Sequence, residues 1–338
     1  LRKLAVKLAV GHSQLPTSFY LKGVRKTGTE TLGAGGFAEV YLGEWEGQKV
    51  ALKRLRVEAK PSMSERKEQF CRESIMWQKL DHVHILPFWG VSDDAFQFTV
   101  CMVLPWQRNG NVKQYMSDQR KNNKLSGQVF LHQTALGLDY LHDEGIVHGD
   151  IHGGNLLIDE TGSIRLTDFG LGVIAEATPH LYGSTHGGGA PEYRAPELLD
   201  PEQFEQENAR PTRASDVYAF GCLSVELYTE KTPFYGDPTI TGQESYHRLW
   251  AGVVSGKRPL RPTTQDGHLM SDPIWDLIRQ CWTPQPSQRP SANRVANDLA
   301  QLVPYHKPDT QTYPEAVPSL PPRPALDSHK GGCQCRIA

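Results

Sequence analysis

The sequence predicts an α+β chain of two lobes, a small β-rich lobe followed by a larger helical one. Two patterns carry that expectation. Short stretches alternating apolar and polar residues dominate Thr31 to Trp106 around a single helical segment, the period-two signature of half-buried strands. Beyond them the apolar period lengthens, and Gln128–His142, Ser215–Tyr228, Pro273–Trp282 and Ser291–Leu302 read as amphipathic or buried helices. A third change follows Pro304, where a proline-rich stretch without apolar periodicity predicts a disordered or extended tail. At 338 residues and 38% hydrophobic residues, the chain can bury a sizeable core in one two-lobed domain.

Composition excludes several classes. A net charge of -2 gives no nucleic-acid footprint. Six scattered cysteines, none at zinc spacing in the folded part, predict reduced thiols and an intracellular, cytoplasmic chain rather than a disulfide framework. No apolar run reaches the roughly 20 residues of a membrane helix. Leu1–Val10 is too short and too charged for a secretory signal, and a first residue other than Met points to a fragment or processed chain.

In chain order, Thr31 to Leu42 reads T-L-G-A-G-G-F-A-E-V-Y-L, a strand, a glycine turn and a second strand. Backbone N–H groups can approach phosphate oxygens only where side chains are minimal, as at Gly33, Ala34, Gly35 and Gly36. Taken alone, such a turn also fits a plain hairpin bend. Lys53 ends the alternating strand V-A-L-K, and the helical segment Ser64–Leu80 carries Glu73 amid Phe70, Ile75, Met76, Trp77 and Leu80. An inward Lys53–Glu73 ion pair would hold the ammonium against nucleotide phosphates.

Gly145 to Gly170 reads G-I-V-H-G-D-I-H-G-G-N-L-L-I-D-E-T-G-S-I-R-L-T-D-F-G. Asp150, Asn155 and Asp168 stand at the five- and thirteen-residue spacings used in phosphoryl transfer from ATP. The first Asp can take or orient a hydroxyl proton, and Asn155 and Asp168 are hard oxygen ligands for Mg2+. Between them L-L-I-D-E-T-G-S-I-R-L predicts a β-hairpin that brings Asp168 beside Asn155.

These segments resemble the eukaryotic protein kinase family, most closely its tyrosine-kinase-like group. Further matches are A-P-E at Ala195–Glu197, D-V-Y-A-F-G at Asp216–Gly221 and C-W-T-P-Q-P-S-Q-R-P at Cys281–Pro290. The resemblance implies an extension at 1–23, a kinase domain at 24–304 with lobes of about 24–107 and 108–304, and a tail at 305–338. It also implies ATP in the cleft between lobes, a Glu197–Arg289 pair, and support of the catalytic loop backbone by Asp216. Phe37 and Ala38 complete the phosphate loop. Leu104 falls at the gatekeeper, Pro105 to Gln107 along the adenine edge, and Val40, Ala51 and Leu157 around the adenine.

Four departures from the family pattern bear on mechanism. Gly149 stands where an Arg usually clamps a phosphorylated activation segment. His152 replaces a Lys against the transferred phosphate, and an imidazole is mostly neutral at pH 7. Ala190 replaces a Thr that bonds Asp150, and Ala38 replaces the third glycine of the phosphate loop. The expectation is a protein kinase acting on Ser/Thr of a protein substrate. Its rivals are a weakly active pseudokinase scaffold and a small-molecule kinase, the second disfavoured by the A-P-E segment and the glycine turn.

Asp168 to Glu197 would form the activation segment, with Thr178, Tyr182, Ser184 and Thr185 as candidate phosphosites and His180 and His186 as solvated loop residues. In the tail, V-P-S-L-P-P-R at Val317–Arg323 fits a polyproline II ligand for an SH3-type domain, against a plain linker. Cys335-Arg336-Ile337-Ala338 fits a C-a-a-X lipidation box that, with Cys333 as a second acylation point, would anchor the chain to a membrane; an unmodified tail is the competing reading.

Overall fold

The computed structural model describes residues 14–34, 38–55, 63–97, 99–118, 126–168, 191–237, 245–263 and 267–303. They form two compact units, one reaching Asp81 and taking in Leu86–Trp106, the other comprising His82–Ile85 and the described residues from Gln107 onwards. The first is β-rich and the second mainly helical, the α+β division the sequence predicts.

The first unit is built on strands β1 (Arg25–Lys26), β2 (Gly33–Ala34), β3 (Ala38–Trp45) and β4 (Gln48–Leu55), helix α1 (Met63–Gln78), and strands β5 (Gly90–Ser92) and β6 (Cys101–Pro105). Both β1 and β2 pair with β3, and the antiparallel sheet continues through β4 and β6 to β5. Glu46 and Gly47, with φ of 48° and 76°, close the β3–β4 hairpin in the primed turn that matches strand twist. Register then sorts the side chains. Tyr41, Leu52 and Val103 fall in one row, and with Leu21, Val24, Val50, Phe96 and Cys101 they bury one face. The opposite face carries Val40, Lys53 and Met102, then Leu42, Ala51 and Leu104. The segment before β1 contributes Leu21 and Val24 to this core. Leu15, Phe19 and Leu21 are buried, and the Leu21 N–H donates to the Val91 carbonyl at 2.8 Å.

The second unit contains α2 (Val112–Asp118), α3 (Ser126–Asp143), the hairpin of β7 (Leu156–Ile158) and β8 (Ile164–Leu166), α4 (Pro196–Leu199), α5 (Arg213–Thr229), α6 (Ser245–Val254), α7 (Asp272–Cys281) and α8 (Ala292–Leu302). Sequence periodicity predicts α3, α5, α7 and α8; α2 and α4 are too short for an apolar stripe to stand out, and α6, as long as α7, is not among the predicted helices. Helix α5 is buried all round from Ser215 to Leu227, as a central helix must be. A capping box between Thr212 and Ser215 fixes its start. Arg289 grips Glu197 through two bonds of 2.6 and 2.7 Å and donates to the Ala214 carbonyl at 3.0 Å, tying the chain after α7 to α4 and to the start of α5.

Cys71, Cys101, Cys222 and Cys281 are free and buried. Burial pushes the Cys71 thiol up to about 11 and the other three up to about 12, which leaves them unreactive. No helix among the described residues is long and apolar enough to cross a membrane. Gly35, Gly36, Phe37, the activation segment from 169 to Ala190 with its candidate phosphosites, and the tail with Val317–Arg323, Cys333 and Cys335 lie outside the described residues.

Candidate active site

In the first unit Lys53 alternates with Leu52, so burying Leu52 in the core turns Lys53 to the other face. There its Nζ meets Glu73 Oε1 of α1 at 2.7 Å, with the two side chains 14% and 6% exposed. The ammonium also lies 5.7 Å from the centre of the Trp77 ring. Val40, Ala51 and Leu104 share this sheet face with Lys53. Pro105 ends β6, and Gly33 and Ala34 pair with Val40 and Glu39 at the start of β3. The lysine, its acid and two of the three apolar residues expected around the adenine, Val40 and Ala51, thus lie on one side of the sheet, while the third, Leu157, belongs to the second unit.

The second unit carries the loop His148–Asn155. Asp216, in the first turn of α5, accepts the N–H of His148 and of Gly149, both at 2.8 Å, and His142 Nε2–H at 2.9 Å. A carboxylate there also faces the positive end of the helix. Sequence reasoning misses His142, since nothing local links it to an Asp 74 residues away. Gly149 has φ of 80°, a left-handed backbone that costs glycine nothing.

Asp150 sits at the centre of this loop. Asn155 Nδ2 donates to the Asp150 carbonyl at 2.8 Å and to its Oδ2 at 3.1 Å, while His152 Nε2 is 3.5 Å from Oδ2. The Gly154 N–H donates to His152 Nδ1 at 3.0 Å, which assigns the imidazole proton to Nε2, facing Asp150. Burial acts to raise the Asp150 carboxyl, but the adjacent His152 and His148 imidazoles and the Asn155 amide outweigh it and hold the group below its usual range. Asp150 is therefore a stable anion. Burial keeps the neighbouring His148 neutral by lowering its pKa.

The β7–β8 hairpin forms as expected, with Asp159 Oδ1 accepting the Thr161 and Ser163 N–H groups in its turn. Thr167 then donates to the Asn155 carbonyl at 3.1 Å, placing Asp168 beside that residue. Asp168 has φ of 60°, a strained conformation for a residue with a side chain. Committing Asn155 Nδ2 to Asp150 leaves its amide oxygen as the acceptor. That oxygen and the Asp168 carboxylate are the hard donors magnesium takes while keeping several of its waters, so the donor set fits Mg2+. Among the described residues no cluster of three or more His, Cys, Asp or Glu is placed to hold a metal ion. Leu157 is half-buried on β7, and Gln107 opens a turn closed by the Gly110 N–H at 3.1 Å; both belong to this unit.

The sequence matches the family model described as protein kinase domain over residues 27–299. It is 31% identical over 275 residues to the dual specificity protein kinase pyk3 of Dictyostelium discoideum, covering 81% of this chain and 18% of that protein. It is 28% identical over 280 residues to the dual specificity protein kinase shkC of the same organism, covering 81% of this chain and 51% of the relative. For the probable serine/threonine-protein kinase drkB, also from Dictyostelium discoideum, identity is 29% over 280 residues, covering 80% and 36%. The chain thus spans about half or less of the length of these relatives.

Proposed function

The chain belongs to the eukaryotic protein kinase family, and from that premise we propose that it transfers the γ-phosphoryl group of ATP, with magnesium, to a serine or threonine hydroxyl of a protein substrate. The observation that carries this reading is the Asp150 carboxylate, held in one loop with the Asn155 amide at 3.1 Å and the His152 Nε2 at 3.5 Å. Asp150 accepts the substrate hydroxyl hydrogen, orients the oxygen for in-line attack and takes up its proton. His152 keeps that carboxylate in place with an N–H donor. Lys53, steadied by Glu73, offers a fixed cation to the phosphate oxygens, and the face of Val40, Ala51 and Leu104 offers apolar surface to the base. Asn155 and Asp168 would hold the magnesium, which when bound neutralises charge on the phosphate oxygens.

The preference for Ser/Thr is supported by the serine/threonine name of the relative drkB and by the segment P-E-Y-R-A-P-E. Mass spectrometry of the phosphorylated products tests it, and exclusively phosphotyrosine would overturn it. A second reading, a nucleotide-binding scaffold with little turnover, is favoured by one observation. His152, whose Nδ1 accepts the Gly154 N–H, stands where serine/threonine kinases carry the permanent cation of a Lys. Magnesium-dependent ATP turnover separates the two. Asp150→Asn should lower kcat by at least a hundredfold, and a wild type no faster than this variant establishes the scaffold.

A further inference from the structure

Helix α5 meets the catalytic loop at a second point. Ten residues beyond Asp216, about 15 Å along the helix axis, Glu226 is only 3% exposed and its Oε2 accepts the Gly153 N–H at 2.8 Å. The approach leaves no room for a side chain, since a Cβ on Gly153 would lie 2.9 Å from that oxygen and 3.0 Å from the carboxyl carbon. Lys113 of α2 supplies the countercharge at Oε1. A carboxylate both paired and hydrogen-bonded is one that a protein interior tolerates.

Gly153 opens the single 3-10 turn Gly153–Asn155. Within it the Gly154 N–H goes to His152 Nδ1 and the Asn155 N–H to the His152 carbonyl at 3.0 Å, while the Asn155 side chain reaches Asp150. Every N–H of the turn is thus committed, and only that of Gly153 reaches outside the loop. We propose that Glu226 is a positioning residue for phosphoryl transfer: by holding the Gly153 N–H it sets the turn that presents Asn155 and His152 to Asp150. The loop is tied to α5 on both sides of Asp150, by Asp216 before it and by Glu226 after it. This inference rests on the phosphotransferase reading above.

The test compares the full chain with Glu226→Gln, Glu226→Ala and Gly153→Ala, measuring kcat, KM for ATP, melting temperature and amide exchange of the segment 148–155. Glutamine keeps one acceptor oxygen for the Gly153 N–H, and Lys113, with its side chain 46% exposed, can swing into solvent away from the new NH2, so Glu226→Gln should stay within about threefold of wild-type kcat. Glu226→Ala and Gly153→Ala should lose at least about tenfold in kcat with KM for ATP changed by less than about threefold. Gly153→Ala breaks the same contact from the loop side, and covers the case in which Glu226→Ala does not fold. A folded Glu226→Ala or Gly153→Ala with wild-type kcat overturns the proposal, as does a Glu226→Gln as impaired as Glu226→Ala. Amide exchange needs no turnover. Protection of 148–155 lost in Glu226→Ala and kept in Glu226→Gln supports the anchor even if the wild type is inactive, which would sink the phosphotransferase reading alone. Unchanged protection in a folded Glu226→Ala overturns the anchor whatever the activity.

Discussion

Gly149 holds a backbone that other residues adopt only at a cost. Its φ of 80° accompanies the Asp216 carboxylate's capture of the His148 and Gly149 N–H groups together. The residue missing from the usual pattern is therefore more than a lost arginine, because glycine also removes strain from the loop. Gly149→Ala and Gly149→Arg should each lower stability by about 1 kcal/mol, since both add a Cβ to the same left-handed backbone. Urea unfolding checks this, and equal losses for the two variants separate the backbone cost from any effect of charge. Asp168, at φ of 60°, is the opposite case, keeping its strain where the carboxylate is needed. The spacing of Asp150, Asn155 and Asp168 was legible in the sequence because one continuous loop and hairpin carry all three. The orientation of His152 was not, since it depends on which ring nitrogen the Gly154 N–H reaches.

Among the elements, α5 organises the second unit. Its first turn holds the loop before Asp150, its buried length forms the core, and Arg289 reaches the carbonyl of Ala214 in that same first turn. The Glu197–Arg289 pair is 1% and 0% exposed, so removing one partner strands a charge. Glu197→Ala should cost about 3–5 kcal/mol, read as a lower midpoint of denaturant unfolding, and a loss below 1 kcal/mol would show that water reaches the guanidinium. Asp216→Asn should be damaging for a different reason. One acceptor oxygen becomes a donor facing the donors of the loop or His142, so kcat should fall together with amide protection of 148–155. In the first unit, alternation in β4 foretells that Leu52 and Lys53 part company. The pairing of Val40, Ala51 and Leu104 on the face with Lys53 follows from register across three strands.

At the scale of the whole molecule, buried histidines give stability a pH dependence of definite sign. Burial holds His84, which reaches the Ile164 carbonyl at 3.2 Å, down to about 4 from 6.5, and lowers His148 for the same leading reason. Above about pH 6.5 both native and unfolded imidazoles are neutral and the stability is fully present. As pH falls below that value the unfolded chain takes up protons that the native state refuses, and stability is lost progressively toward pH 4. For His84 alone the loss approaches about 3 kcal/mol at the acid end. Melting temperature against pH should fall less steeply in His84→Gln than in wild type, and parallel curves would exclude this origin. By itself the sequence determined the α+β order of elements and the placement of Asp150, Asn155 and Asp168 along one loop and hairpin, and it pointed to the Lys53–Glu73 pair, because local periodicity and spacing encode them. Only the tertiary structure decided that His142 and Glu226 support that loop and which sheet face Lys53 shares. The Gly153–Glu226 bond spans 73 residues and the His142–Asp216 bond 74. Such partners are chosen by how α5 packs, and no pattern near either residue records the choice.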